Sequence, residues 1–110
     1  MKTAIIGSRG ITNIDVGMYL PEGTDEIVSG GAKGVDTLAR DYAVQHGIKL
    51  TEFLPDYSRY KRGAPLKRNE QIIEYADVIL AFWDGQSKGT KFVIDKAEKI
   101  GKEVRVIVIE

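Results

Sequence analysis

The sequence predicts an α/β fold, a Rossmann-like doubly wound parallel sheet of five strands in the order 3-2-1-4-5, and three observations carry that prediction. Short apolar runs alternate with stretches of helical periodicity along the whole chain. Three of the apolar runs end in glycine-bearing turns, at residues 7–10, 29–34 and 84–90. One run, from Val78 to Trp83, is apolar without a break, as a central strand covered by helices on both faces requires.

Lys2 to Ile6 forms the first strand and stops at Gly7-Ser8-Arg9-Gly10. Ile14, Met18 and Leu20 predict a short helix from Asp15, closed by Pro21 and Gly23. Glu26 to Ser29 is the second strand. The turn after it opens a helix in which Val35, Leu38, Ala39, Tyr42 and Ala43 recur at helical spacing until Gly47 stops it. Ile48 to Leu54 is the third strand, and Pro55 ends it before a polar, aromatic and basic loop that runs to Ala64. Pro65 suits the first turn of a third helix, whose inward line passes through Leu66, Asn69, Ile72, Ile73 and Ala76. After the fourth strand, Val78 to Trp83, a fourth helix is marked by Val93, Ala97 and Ile100 and stopped by Gly101, and Val104 to Ile109 is the fifth strand. The chain contains no internal repeat and no low-complexity segment, so residues 1–110 are read as one domain.

In the order 3-2-1-4-5 the three glycine turns follow neighbouring strands and meet at the carboxyl edge, around the switch point between strands one and four, where open α/β sheets bind ligands. The residues gathered there suit an anion. In the second turn, Ser29, Gly30, Gly31, Ala32 and Gly34 form a backbone cradle at a helix N-terminus, with Lys33 as a mobile charge and Asp36 and Thr37 in the first helical turn. The first turn, Gly7, Ser8 and Arg9, adds a guanidinium fork. The third adds Asp84, Gly85, Ser87, Lys88, Gly89 and Thr90. Asp84 and Asp36 could hold ribose hydroxyls or simply face helix termini, and Thr90 could touch the ligand or be the N-cap of the fourth helix. Asn69 is a polar amide on an inward helix line that needs partners, and Arg68 in the first turn of that helix is disfavoured by the dipole unless an anion lies nearby. Phe82 and Trp83 either stack on a base or belong to the core. Nucleic acid has one foothold, the acid-free run holding Arg59, Lys61, Arg62, Lys67 and Arg68 with Tyr57 and Tyr60 close by, which could equally be a solvated loop or a lid.

Composition excludes other readings. Sixteen basic and sixteen acidic residues give a formal net charge of zero, which disfavours a general grip on nucleic acid. There is no cysteine, so disulfides, thiolate nucleophiles and cysteine-ligated zinc are absent, and no metal site is expected. No run approaches the roughly 18 apolar residues of a membrane span, and the first residues do not read as a signal peptide, so a cytoplasmic protein is expected. His46, the only histidine, ends the second helix away from the crevice and is read as a surface residue. Neither G-x-G-x-x-G nor G-x-x-x-x-G-K-[ST] occurs, which disfavours a dinucleotide oxidoreductase and a classical nucleoside triphosphatase, and no cofactor is expected beyond a nucleotide-derived ligand.

The combination of Gly7-Ser8-Arg9, the stretch from Ser29 to Asp36, Arg68-Asn69 and the stretch from Ala81 to Thr90 resembles the SLOG superfamily, and within it the YspA-like branch, often labelled a domain of unknown function. The resemblance implies a Rossmann-like domain that senses or processes nucleotides or nucleotide-derived ligands such as ADP-ribose or NAD metabolites. Two relatives imply competing activities. The cytokinin-activating phosphoribohydrolases cleave a base from a nucleoside monophosphate with an arginine and the glutamate of a P-G-G-x-G-T-x-x-E motif. Gly89-Thr90 keeps the central pair of that motif, but Val93 stands where the glutamate belongs. The DNA-processing protein of natural transformation binds single-stranded DNA and has an S-G-x-A-x-G-I-D stretch similar to Ser29 to Asp36. Relatives are often dimers, which implies that a second copy could complete the crevice. The resulting expectation is a nucleotide-like small-molecule ligand, held by the three turns with Arg68 and Asn69.

Overall fold

The structure is a computed structural model describing residues 1–109. Five parallel strands, β1 (Lys2–Gly7), β2 (Glu26–Ser29), β3 (Lys49–Glu52), β4 (Val78–Trp83) and β5 (Glu103–Val108), form one sheet in the order β3-β2-β1-β4-β5, as the sequence predicts. Parallel neighbours need crossovers, and the helices α1 (Val16–Tyr19), α2 (Val35–Gln45), α4 (Ala64–Tyr75) and α5 (Lys88–Lys99) lie on both faces. The helix α3 (Tyr57–Tyr60) and the 3-10 turn Lys61–Gly63 lie between β3 and α4.

Alternation along the central strands sorts the core into two layers. Ile5, Ile27, Leu80 and Phe82 meet Val16 of α1 and Val35, Ala39 and Ala43 of α2. Ala4, Ile6, Val28, Ile79 and Ala81 meet Ile72 and Ile73 of α4 and Val93, Ile94 and Ala97 of α5. Successive residues of β4 serve opposite layers, which is why its run is apolar throughout. At the amino edge, buried Glu26 accepts from Tyr75 Oη and from Thr51 Oγ1 and pairs with Lys49 at 3.4 Å. These contacts, the Tyr75 bond above all, hold its carboxyl below the usual glutamate range. Among the described residues no helix is long and apolar enough to cross a membrane.

Several expectations shift. The third strand is shorter than residues 48–54, because Phe53 makes only one further backbone bond, to the Ser29 carbonyl at 2.9 Å. The fifth strand starts at Glu103 and ends at Val108. The loop expected from 55 to 64 contains α3, which Asp56 caps through Oδ1 to the Arg59 N–H at 3.2 Å, followed by the 3-10 turn. Its first residue, Lys61, has φ 54°, the one positive φ outside glycine among the described residues, and such a conformation costs on the order of 1–3 kcal/mol. Met18 and Leu66 are exposed rather than part of the core, and Ile100 lies past the end of α5.

Two glycines set how closely the edge turns approach. A Cβ on Gly7 would lie 2.5 Å from the Phe82 carbonyl oxygen and 2.6 Å from Val35 Cγ2. Gly34, at φ 72°, would press a Cβ into the Arg9 backbone, so the first and second turns touch only because this side chain is missing. Gly10, in the same first turn, has open space around its absent side chain. Gly7→Ala is therefore expected to cost roughly 1–3 kcal/mol in urea unfolding through overpacking, with Gly10→Ala near neutral; equal effects would show that close approach does not set the geometry of this edge.

Candidate ligand-binding cleft

At the carboxyl ends of β1 and β4 lies a cleft of about 490 Å³, walled by the three turns and by the start of α4. Its apolar floor and rim include Ile6, Ile72, Val93, Pro65 and Leu66. Gly7, Ser8 and Arg9 line it from the first turn. Ser8 is buried, with its N–H on the Phe82 carbonyl at 3.1 Å and its Oγ accepting the Asp84 N–H at 3.2 Å, so the first and third turns are tied together. Arg9 is exposed.

Arg68 is the buried cation of the cleft, 8% exposed. It follows Ala64 and precedes Ile72 at i, i+4 spacing, so it shares the inward stripe of α4, in the second turn rather than the first. Nη1 donates to the Gly30 carbonyl at 2.7 Å and Nε to Asn69 Oδ1 at 2.8 Å. Gly30 makes room for it, since a Cβ there would sit 2.7 Å from Nη1. Burial pulls the guanidinium below its ordinary pKa, Asp36 opposes that shift and Arg9 adds to it. Arginine remains charged under all such shifts. Asn69 is half-buried and lines the cleft as the orienting partner of Arg68, so the amide read as the inward residue serves the neighbouring guanidinium.

The second turn is not the open cradle its glycines suggest. Gly30, Ala32 and Asp36 line the cleft, but Asp36 Oδ2 already accepts the Ala32 N–H at 3.0 Å, so the chain's own carboxylate occupies one amide of this turn and sets a negative charge beside the start of α2. Ser29 is fully buried, Gly34 is spent on contact with Arg9, Gly31 faces Leu54, and Lys33 is exposed outside the cleft. Burial raises the Asp36 pKa, against the Ala32 N–H and the positive charge of Arg68, which lower it.

The third turn is more open. Asp84 Oδ1 accepts the N–H groups of Gln86 and Ser87, both at 2.8 Å, and these bonds hold its carboxyl below the usual range. Ser87 is the N-cap of α5, its Oγ accepting the Thr90 N–H at 3.4 Å, so Thr90 is not the cap but a buried third residue of the helix. Asp84, Ser87, Gly89 and Thr90 line the cleft, where the first-turn amide of Gly89 has no intrahelical partner. Gly85 and Lys88 instead line a second hollow with Trp83 and Phe92. Phe82 is core and Trp83 Nε1 donates to the Ser87 carbonyl at 3.0 Å, so neither ring faces the cleft. His46 is an exposed C-cap stacked near Tyr42. Among the described residues no group of three or more His, Asp or Glu is placed to hold a metal ion.

The family described as YspA, cpYpsA-related SLOG family matches residues 19–60, which hold the second strand, the glycine turn and α2. The chain is similar to the Gene 61 protein of Mycobacterium phage D29, 36% identical over 81 residues, covering 68% of this chain and 65% of that protein. The chain thus spans just under two thirds of that relative's length. No solved structure matches it.

The two cleft carboxylates respond oppositely to pH. The raised pKa of Asp36 means its contribution to stability is full below about pH 4, the unfolded value, and is lost as pH rises through the native value. The lowered pKa of Asp84 makes its contribution present above that unfolded value and lost as pH falls through the native one. Asp36→Asn, which keeps an acceptor for the Ala32 N–H, is expected to be more favourable relative to wild type at pH 7 than at pH 4 in urea unfolding, whereas Asp84→Asn is expected to be less favourable at pH 7 than at about pH 2, well below the unfolded carboxylate value.

Proposed function

We propose that this chain, a member of the YspA-like branch of the SLOG superfamily, binds a nucleotide-derived phosphate ligand in the cleft at the carboxyl edge of its sheet. One observation carries the reading: Arg68 is a buried guanidinium fixed in orientation by the Gly30 carbonyl and Asn69, beside Arg9 and across from the open first turn of α5. Asp36 acts on the Arg68 charge but, among the described residues, no carboxylate forms an ion pair with it, so a phosphate supplies the direct contact that this buried cation lacks. The phosphate lies between Arg68, Arg9 and the Gly89 amide, where the helix dipole adds to the attraction. This moves the anion from the second turn, the natural choice on glycine content, to the third. Asp84 stays ionised at neutral pH, and beyond the two amides on Oδ1 and the nearby Ser8 hydroxyl its carboxylate keeps acceptor capacity for a ribose hydroxyl. SLOG membership is compatible with nucleotide-related binding.

Binding is favoured over turnover. Val93 lines the cleft at the position where the phosphoribohydrolase motif carries glutamate, and its methyl groups can neither move a proton nor stabilise a developing positive charge. The candidates for the ligand are nucleoside monophosphates, ADP-ribose and related NAD metabolites.

Calorimetry with AMP and ADP-ribose on purified protein tests the reading. A hydrogen bond to a charged group is worth about 1.5–3 kcal/mol, so Arg9→Ala is expected to weaken binding by about 10- to 100-fold. Arg9 is exposed, so its unfolding midpoint stays unchanged. Arg68→Lys keeps the charge but loses the fork, and a comparable loss is expected. Unchanged affinity in both variants overturns the assignment.

A further inference from the structure

The most basic stretch of the chain lies outside the cleft wall, on the segment that leads into α4. Arg59, Lys61 and Arg62 are exposed and, among the described residues, form no ion pair. Lys67 reaches Glu70 only at 4.0 Å. Arg59 and Lys67 crowd the same Tyr60 ring, at 5.3 and 5.8 Å from its centroid. The adjacent acid, Asp56, already accepts from Ser58 Oγ and the Arg59 N–H. Lys61 is held at positive φ, a position that glycine would occupy without strain. The segment is also tied to the cleft: α3 packs on α4, whose first turns supply Pro65, Leu66, Arg68 and Asn69 to the wall, and Tyr57 is near enough to act on the Arg68 charge.

We propose that residues 59–67 form the outer half of an elongated anion site, so that the ligand carries a second phosphate and belongs to the nucleoside diphosphates or pyrophosphate-linked nucleotides rather than the monophosphates. This rests on the reading of the cleft given above. Like charges gathered on a short segment repel one another, and an anion arriving between them removes that cost and is drawn in by their field. The inner phosphate is held by the fixed guanidinium of Arg68, and the outer one by flexible Arg59, Lys61 and Arg62, which need no preset geometry to neutralise a charge near solvent. A single-stranded nucleic acid fits less well. Stacking on bases needs an open aromatic face, whereas Tyr60 is half-buried and already has cations over its ring.

The test is calorimetry with AMP, ADP, ADP-ribose and a short single-stranded oligonucleotide on wild type and on the triple variant Arg59→Gln, Lys61→Gln, Arg62→Gln. Wild type is expected to bind ADP and ADP-ribose about 10-fold or more tighter than AMP. The triple variant is expected to lose that preference while its AMP affinity holds. Lys61→Gly separates charge from backbone: it should raise the unfolding midpoint by relieving the positive φ and still weaken ADP binding. Equal affinity for AMP and ADP in wild type, or a preference that survives in the triple variant, overturns the proposal and leaves the cleft reading intact. Binding of the oligonucleotide alone overturns both in favour of a nucleic-acid surface, and absence of binding by every probe overturns the cleft reading and this proposal with it.

Discussion

Arg68 donates to the Gly30 carbonyl at 2.7 Å across 38 residues of chain, and the arrangement of the cleft depends on that contact. It joins α4, on one face of the sheet, to the turn that leads to α2 on the other. The missing Cβ of Gly30 lets the guanidinium lie against the backbone, and Asn69 fixes its rotation through Nε. Burial disfavours the charge, Arg9 disfavours it further, and Asp36, with a smaller contribution from Tyr57, compensates. The result is a preorganised positive group at the switch point of a parallel sheet, the place where such folds put ligands.

The glycines around this site serve two physical purposes that look the same in a sequence. Gly7 and Gly34 permit close packing of backbone against backbone, and Gly30 permits close packing of backbone against a guanidinium. Gly89 opens the first turn of α5 to the cleft. The turn richest in glycine has its Ala32 amide bonded to its own carboxylate, while a turn with fewer glycines leaves the Gly89 amide facing the cleft. Phosphate affinity follows from unsatisfied donors, and a count of glycines does not measure those.

Strand order was legible because it follows from alternation, helical spacing and the handedness of crossovers, all of which survive in the residue pattern. The helix α3 was not, since a single turn held by the Asp56 cap is too short for periodicity to register. The convergence of the three turns was legible, and so was the presence of Arg68 and Asn69. The sequence puts Asn69 on the inward line and Arg68 in the first turn beside an anion, whereas Arg68 is the buried member, in the second turn, and Asn69 its partner. The spacing Ala64, Arg68, Ile72 carried the signal that Arg68 is the buried member. Lys33 and Lys88 looked equivalent to Arg9 in charge, but turn direction alone decides that they face away from the cleft, and turn direction leaves no trace in composition.

The most direct measurement is a titration of ADP-ribose into isotope-labelled protein, following backbone amide resonances. The largest shifts are predicted at Ser8, Gly30, Asn69, Gly89 and Thr90, which surround the proposed phosphate. Shifts confined to the hollow beside Trp83 and Phe92, or no shift at millimolar ligand, would contradict the assignment of the cleft as a nucleotide-phosphate site.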